Sequence, residues 1–144
     1  MSNKIQRTST SITVLIYASN DEKNIERAIE SAKLLSSVIT LIDIGSTDKT
    51  ADIAKRLGAQ VLILKPEPYV ELVRMKGVEQ AKTDWIFILD SDEVITAELV
   101  AEINQALSSK LYATSYRVPR RNIFGQSKWL KHGGWWPDYQ TRLI

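Results

Sequence analysis

Apolar residues run without polar interruption from Trp85 to Leu89, and the next four, Asp90-Ser91-Asp92-Glu93, carry three carboxylates. A short continuous apolar run, rich in β-branched and aromatic side chains, predicts a strand buried on both faces, as in parallel sheets. Ile12 to Ala18, with Thr13 inside it, and Val38 to Ile44, with Thr40 and Asp43 inside it, repeat the pattern; Val61 to Leu64 is a shorter version. Between these runs the spacing turns helical. Ile25, Ala28, Ile29, Ala32 and Leu35 follow Asn20, Asp21 and Glu22, so Asn20 reads as the cap of a first helix. The turn Gly45-Ser46-Thr47-Asp48 leads into Ala51, Ala54 and Leu57, and Gly58 marks a stop. Pro66 and Pro68 break the chain before a helix from about Tyr69 to Ala81, and Thr96 caps a fourth with Leu99, Ile103, Ala106 and Leu107 on one stripe.

Strand and helix in strict alternation predict an α/β fold: a Rossmann-like, doubly wound, mostly parallel sheet with right-handed crossovers. All parallel strands end on one edge, so Tyr17 to Ser19, Asp43 to Thr47 and Asp90 to Asp92 converge where such sheets bind ligands. After Leu107 the pattern changes. Tyr112 to Pro119 reads as extended, and three of the four tryptophans follow, at positions 129, 135 and 136. Arg142-Leu143-Ile144 lies inside another apolar element with no terminating signal, so the C-terminal part reads as incomplete. Residues 1–10 are polar and aperiodic and read as a flexible tail. Residues 11–144 read as one domain, within which the changed pattern over 111–144 marks the start of a further side of the same domain.

Composition narrows the classes. A chain of 144 residues with 44% hydrophobic and 25% charged residues has ordinary globular composition, and one domain of this size buries roughly two thirds of its unfolded surface. The absence of cysteine excludes disulfides, thiolate catalysis and cysteine metal sites. The net charge of +2 conceals an asymmetry of +5 over residues 117–144 against −3 over the rest, so the C-terminal end favours anionic partners. No apolar run is long enough to cross a bilayer, and a cytoplasmic location is expected.

Three carboxylates within four residues repel one another and have no basic partner nearby in sequence. A divalent cation relieves that cost. Mg2+ and Mn2+ are commonly held by one or two carboxylates together with substrate phosphates, so an acidic loop after a buried strand points to a metal-bridged nucleotide site. The plainer alternative is an acidic loop leading into the helix at Thr96. A dinucleotide-dependent oxidoreductase would want a Gly-rich turn after the first strand, where Ala18-Ser19-Asn20-Asp21 has no glycine. A receiver or phosphatase domain would place its acidic group after the first strand rather than the fourth. Nucleic acid is not an expected partner, because the acidic edge and small net charge oppose a broad electrostatic footprint.

The stretches ITVLIYASNDEKNIERAI, LIDIGSTDKTADIAKRLGAQV, VRMKGVEQAKTDWIFILDSDEVIT and YRVPRRNIFGQSKWLKHGGWWPDYQTRLI together resemble family 2 glycosyltransferases of the GT-A fold. The likeness is closest to the branch that builds the bacterial lipopolysaccharide core. The resemblance implies a hexose, glucose first, moved with inversion from a UDP-sugar to a lipopolysaccharide core or related glycan acceptor. Asp90 and Asp92 match the family's Asp-x-Asp, the second coordinating Mg2+ or Mn2+ and the first contacting the ribose or a metal-bound water. Asp43 falls in the segment that reads the base, although this chain has Ile44 where many members carry a second acidic residue. Ser19 and Asn20 match the loop lining the nucleotide pocket, and Arg74 matches a basic position near the donor.

The chemistry has its own logic. A diphosphate would be repelled by Asp90, Asp92 and Glu93 unless a cation lay between them, and the same cation stabilises the leaving group. A base must also take the acceptor proton. Asp138 and Glu93 are the candidates: the Trp-rich neighbourhood of Asp138 could raise its pKa, while pairing with Arg142 or Arg121 is the preferred plain reading. In such enzymes the base often lies further along than this chain extends, and the alternative function is a domain that binds nucleotide or nucleotide-sugar without turnover. The Trp-rich segment reads either as a surface for sugars and anionic headgroups, with peripheral contact at the inner face of the cytoplasmic membrane, or as a plug over the core. An open sheet edge would favour a homodimer.

Overall fold

The computed structural model describes residues 10–109, 112–125 and 127–144. The tail expected over residues 1–10 lies, but for Thr10, outside them. Strand β1 (Ile12–Ala18) is buried along its whole length. It is followed by helix α1 (Ile25–Ala32), strand β2 (Val38–Ile44), helix α2 (Thr50–Arg56), strand β3 (Gln60–Leu64), helix α3 (Val70–Val78), strand β4 (Trp85–Asp90) and helix α4 (Ala97–Ser108). These eight elements are the predicted ones, with shorter helices. Strands β5 (Tyr116–Arg120), β6 (Ile123–Phe124), β7 (Lys128–Trp129) and β8 (Asp138–Leu143) complete the chain.

The main sheet has the order β3-β2-β1-β4-β8-β5. β1 pairs in parallel with β2 and with β4, and β2 with β3, whereas β8 runs antiparallel to both β4 and β5. The basic C-terminal segment thus joins the main sheet. It returns through β8, and Ile144 exchanges backbone hydrogen bonds with Ile86 at 2.8 and 3.0 Å.

Both faces of β1 are apolar because both are covered. Val14, Ile16 and Ala18 join Ile25, Ala28, Ile29 and Ala32 of α1, Ala54 of α2 and Ile103 of α4 in the larger core, which Phe87, Leu89 and Leu143 complete. Leu15 and Tyr17 point the other way, onto Ile42, Ile88 and Val73 of α3. Burying each of the Val, Leu and Ile side chains contributes about 1.5–3 kcal/mol before the entropy of ordering is counted. The Thr96 cap is as expected, its Oγ1 accepting the Leu99 N–H at 3.2 Å. Gly58, at φ +85, ends the turn after α2 in a conformation that a Cβ would strain.

Tyr17 sits where this second face approaches the carboxyl edge. Its hydroxyl donates to the Arg74 carbonyl at 2.9 Å. Burial pushes the phenol up to about 12; the Arg74 charge opposes the rise and the Asp90 charge adds to it. A raised pKa means stability that is whole below the ordinary value of 10.0 and is lost as pH climbs towards 12. Unfolding free energies from urea titrations between about pH 9 and about pH 12 are expected to fall by up to about 2 kcal/mol for the native chain and to stay flatter in Tyr17→Phe. Equal slopes would mean that another group carries the alkaline loss.

Candidate functional site

The parallel register brings the three predicted loops together, since Ala18 lies opposite Asp43 and Tyr17 opposite Asp90. Side chains tie the loops to one another. Ser19 Oγ donates to the Ile44 carbonyl at 3.0 Å, and Ser91 Oγ donates to Asp21 Oδ2 at 2.6 Å. Asn20 is not a helix cap: α1 begins at Ile25, four residues after Asp21. Its backbone instead takes φ +52, a region asparagine tolerates, and its Oδ1 accepts from the N–H groups of Thr47 at 2.7 Å and Asp48 at 3.3 Å. Asp48 in turn accepts the Thr50 N–H at 2.9 Å and the Glu22 N–H at 3.0 Å. The β1 and β2 loops therefore form one hydrogen-bonded ledge.

Asp43 is 1% exposed and accepts the Ser46 N–H at 3.2 Å, so its turn is fixed before any ligand arrives. Asp90 and Asp92 diverge. Asp92 is exposed and its carboxylate has no hydrogen bond or ion pair among the described residues; only its carbonyl is used, accepting from Arg27 at 3.2 Å. Asp90 accepts from Arg142 Nη2 at 2.9 Å and lies 3.6 Å from Arg74 Nη2.

The expectation that the acidic loop lacks basic partners is thus corrected. Arg142, 6% exposed, also donates to Glu93 Oε1 at 2.6 Å, and Arg120 reaches Glu93 at 3.4 Å and Asp138 at 2.8 Å. Arg74, Asp90, Arg142, Glu93, Arg120 and Asp138 form a row of alternating charge running from α3 across β4 and β8 to β5. The partners were invisible in sequence because they lie 16 to 52 positions away, Arg74 on α3 and Arg120 and Arg142 on the antiparallel strands β5 and β8. Asp21 was likewise missed, its role set by the β4 loop.

Both candidate bases belong to this row. Asp138 pairs with Arg120, not with Arg142 or Arg121, and also accepts from Asn122 at 3.1 Å and Gln140 at 2.7 Å. The Asn122, Gln140 and Arg120 bonds hold its carboxyl below the usual range, so the expected rise from apolar neighbours is reversed. A carboxylate held in its charged form is a weak proton acceptor. Glu93 has its Oε1 taken by Arg142 and Arg120 and its Oε2 by the Asp90 N–H at 3.2 Å.

No group of three or more acidic or histidine side chains among the described residues is arranged to enclose a metal ion. The donor chemistry still fits a hard cation. Asp92, two residues beyond Asp90, presents unpaired carboxylate oxygens, and a Mg2+ site normally needs one or two carboxylates, with phosphate and water filling the rest. Arg74, half exposed, borders a groove of about 360 Å³ lined also by Met75, Val78, Glu79, Ile88 and Ile144.

The tryptophan segment is not a core plug. Trp129 and Trp136 meet edge to face at 5.0 Å outside both core clusters, with Arg121 and Lys131 lying 4.9 and 4.5 Å from the Trp129 ring centre. Trp135 is 51% exposed, and His132 is exposed beside Gly133. No helix among the described residues is long and apolar enough to cross a membrane.

A mixed six-stranded sheet whose parallel half carries an Asp-x-Asp loop at its carboxyl edge is the GT-A arrangement. The sequence signature described as glycosyl transferase family 2 matches residues 13–144, and the chain belongs to that family. It is similar to an uncharacterized glycosyltransferase of Rickettsia bellii, 37% identical over 101 residues, covering 69% of this chain and 33% of that protein. A Rickettsia typhi counterpart is 35% identical over 100 residues, covering 68% and 33%. The chain therefore spans about a third of the length of the curated relatives it matches.

Among solved structures, glucosyl-3-phosphoglycerate synthase from Mycobacterium tuberculosis in complex with UDP shares the fold, with TM-score 0.59 and 24% identity over 70% of this chain and 41% of the synthase. The same synthase with Mn2+, UDP-glucose and phosphoglyceric acid gives TM-score 0.51 and 27% identity over 57% and 33%.

Proposed function

We propose that the chain is the donor-binding part of a metal-dependent inverting hexosyltransferase that takes a UDP-sugar, with glucose as the first candidate, and Mg2+ or Mn2+. The observation that carries this reading is Asp92, an exposed carboxylate without a partner among the described residues, in the loop that follows Asp90 at the edge where β1, β2 and β4 end. In this reading Asp43 receives the base, Ser19 and Asn20 line the nucleotide, Asp90 faces the ribose and Arg74 meets the diphosphate. Asp92 holds the cation, with Asp90 next to it. When bound, the cation supplies Lewis-acid stabilisation of the charge that gathers on the departing diphosphate. Arg74 adds to that stabilisation from the protein side, since its 3.6 Å contact with Asp90 is the loosest of the row.

The acceptor in this reading is a lipopolysaccharide core sugar or a related glycan, met at the inner face of the cytoplasmic membrane. The support is the basic, aromatic surface of Arg121, Lys131, Trp129 and Trp136 next to the charged row. The synthase with Mn2+, UDP-glucose and phosphoglyceric acid offers a parallel in which an anionic acceptor accompanies the donor. A homodimer is a further part of the proposal, resting on the open edges at β3 and β5. A second reading, nucleotide binding without turnover, is favoured by one observation: Glu93 and Asp138 are both engaged by arginine, which leaves neither free as a base.

Calorimetric titration of UDP and UDP-glucose, with Mn2+ and with chelator, tests the donor site. Metal-dependent binding of both is expected. Failure of the folded chain to bind either would overturn the UDP assignment, and GDP- and CMP-linked donors would then show whether Ile44 marks a different base. UDP release from UDP-glucose separates turnover from binding alone.

A further inference from the structure

One guanidinium nitrogen, Arg142 Nη2, donates both to Asp90 Oδ2 at 2.9 Å and to Glu93 Oε1 at 2.6 Å. A single positive atom bracketed by two carboxylate oxygens occupies the place that a cation would otherwise take between them. Arg142 is also fixed there: it is 6% exposed, it belongs to β8, and its neighbour Leu143 is buried in the larger core. Arg120 reaches the same Glu93 oxygen at 3.4 Å, and the Asp90 N–H steadies the other one. Asp92, two residues from Asp90, is outside this arrangement.

Resting on the donor reading above, we propose that Arg142 is a positioning residue that serves as the built-in cation of the acidic loop. It withholds Asp90 and Glu93 from any divalent ion, so that the ion enters only at Asp92 and only together with a nucleoside diphosphate. The physical basis is charge. Without Arg142, Asp90 and Glu93 would keep only the longer contacts of Arg74 and Arg120, and together with Asp92 they would attract Mg2+ or Mn2+ whether or not nucleotide was present. With Arg142 in place, the protein alone offers one free carboxylate, too few ligands for a hard cation that prefers six oxygens. Phosphate oxygens supply the remainder, so cation and nucleotide stabilise each other's binding.

Mn2+ alone, titrated into the chain and followed by its electron paramagnetic resonance signal, reads this directly. The native chain is expected to bind bare Mn2+ weakly and to bind it much more tightly once UDP is added. Arg142→Met is expected to gain bare Mn2+ affinity by about tenfold or more, because a repelling charge has gone and Asp90 and Glu93 keep only the longer contacts of Arg74 and Arg120, at 3.6 and 3.4 Å. A gain is informative, since a merely structural residue would only lose binding when replaced. Arg142→Lys, which keeps the charge but with one less extended donor group, should fall between the two and serves if the Met variant does not fold. Native chain that binds bare Mn2+ as tightly as Mn2+ with UDP would overturn the proposal, as would folded Arg142 variants with unchanged bare Mn2+ affinity. Failure of UDP to bind at all with Mn2+ would instead overturn the donor reading. A gain in bare Mn2+ affinity by the variants would then still show that Arg142 withholds the loop.

Discussion

Asp92→Ala is expected to weaken Mn2+-dependent UDP binding by about a hundredfold while leaving the unfolding free energy in urea within about 0.5 kcal/mol of native. The two halves of this result come from one fact. The Asp92 carboxylate is exposed and has no hydrogen bond or ion pair among the described residues, so truncating it breaks nothing that holds the fold. It also removes one negative charge from a loop that already carries Asp90 and Glu93. Binding should suffer because Asp90 and Glu93, the other carboxylates of the loop, are both engaged by arginine. Asp90→Asn makes the contrast, for Asp90 is paired with Arg142 and Arg74 and its neutralisation should cost stability as well. An unfolded Asp92→Ala chain would assign Asp92 a structural role, and unchanged UDP affinity would move the nucleotide away from this loop.

The parts of the fold that were legible in the sequence are those set by local rules. Continuous apolar runs at β1, β2 and β4 announced strands covered on both faces, and Thr96 and Gly58 marked helix limits by chemistry that acts over three or four residues. The convergence of Ser19, Asp43 and Asp90 was also legible, because parallel strands must end on the same edge. What local rules could not supply was the partner of each charge. Arg142 read as a mate for Asp138, but β8 runs antiparallel to β4 and delivers its side chain to Asp90 and Glu93. Asn20 read as a cap since asparagine before an acidic turn commonly is one, yet the β2 loop offers it two backbone donors at closer call than the helix does. Asp138 was placed among tryptophans by sequence proximity, whereas its contacts are Arg120, Asn122 and Gln140.

The other large effect is expected at a residue with no chemistry of its own. Gly77→Ala should lower stability by about 2–3 kcal/mol, although alanine is the better helix former by about 1 kcal/mol. Gly77 is buried in α3, and a Cβ built there falls well inside van der Waals contact with Tyr17 Oη and 3.1 Å from both Tyr17 Cζ and Ile42 Cγ1. Tyr17 cannot simply turn away, because its hydroxyl is held by the Arg74 carbonyl one turn earlier in the same helix. The added methyl must therefore push α3 off the sheet. Removing the hydroxyl opens space at the closest contact, so Tyr17→Phe in the Gly77→Ala background should recover about 1 kcal/mol, a coupling that chemical denaturation of the four chains would measure. The two 3.1 Å contacts remain and prevent full recovery. Because α3 carries Arg74, the same displacement should lengthen its 3.6 Å approach to Asp90 and weaken UDP binding in step with stability. A Gly77→Ala chain as stable as native would mean that α3 rests less closely on β1 than the Tyr17 hydrogen bond requires. Equal loss with and without the Tyr17 hydroxyl would place the clash at Ile42 instead.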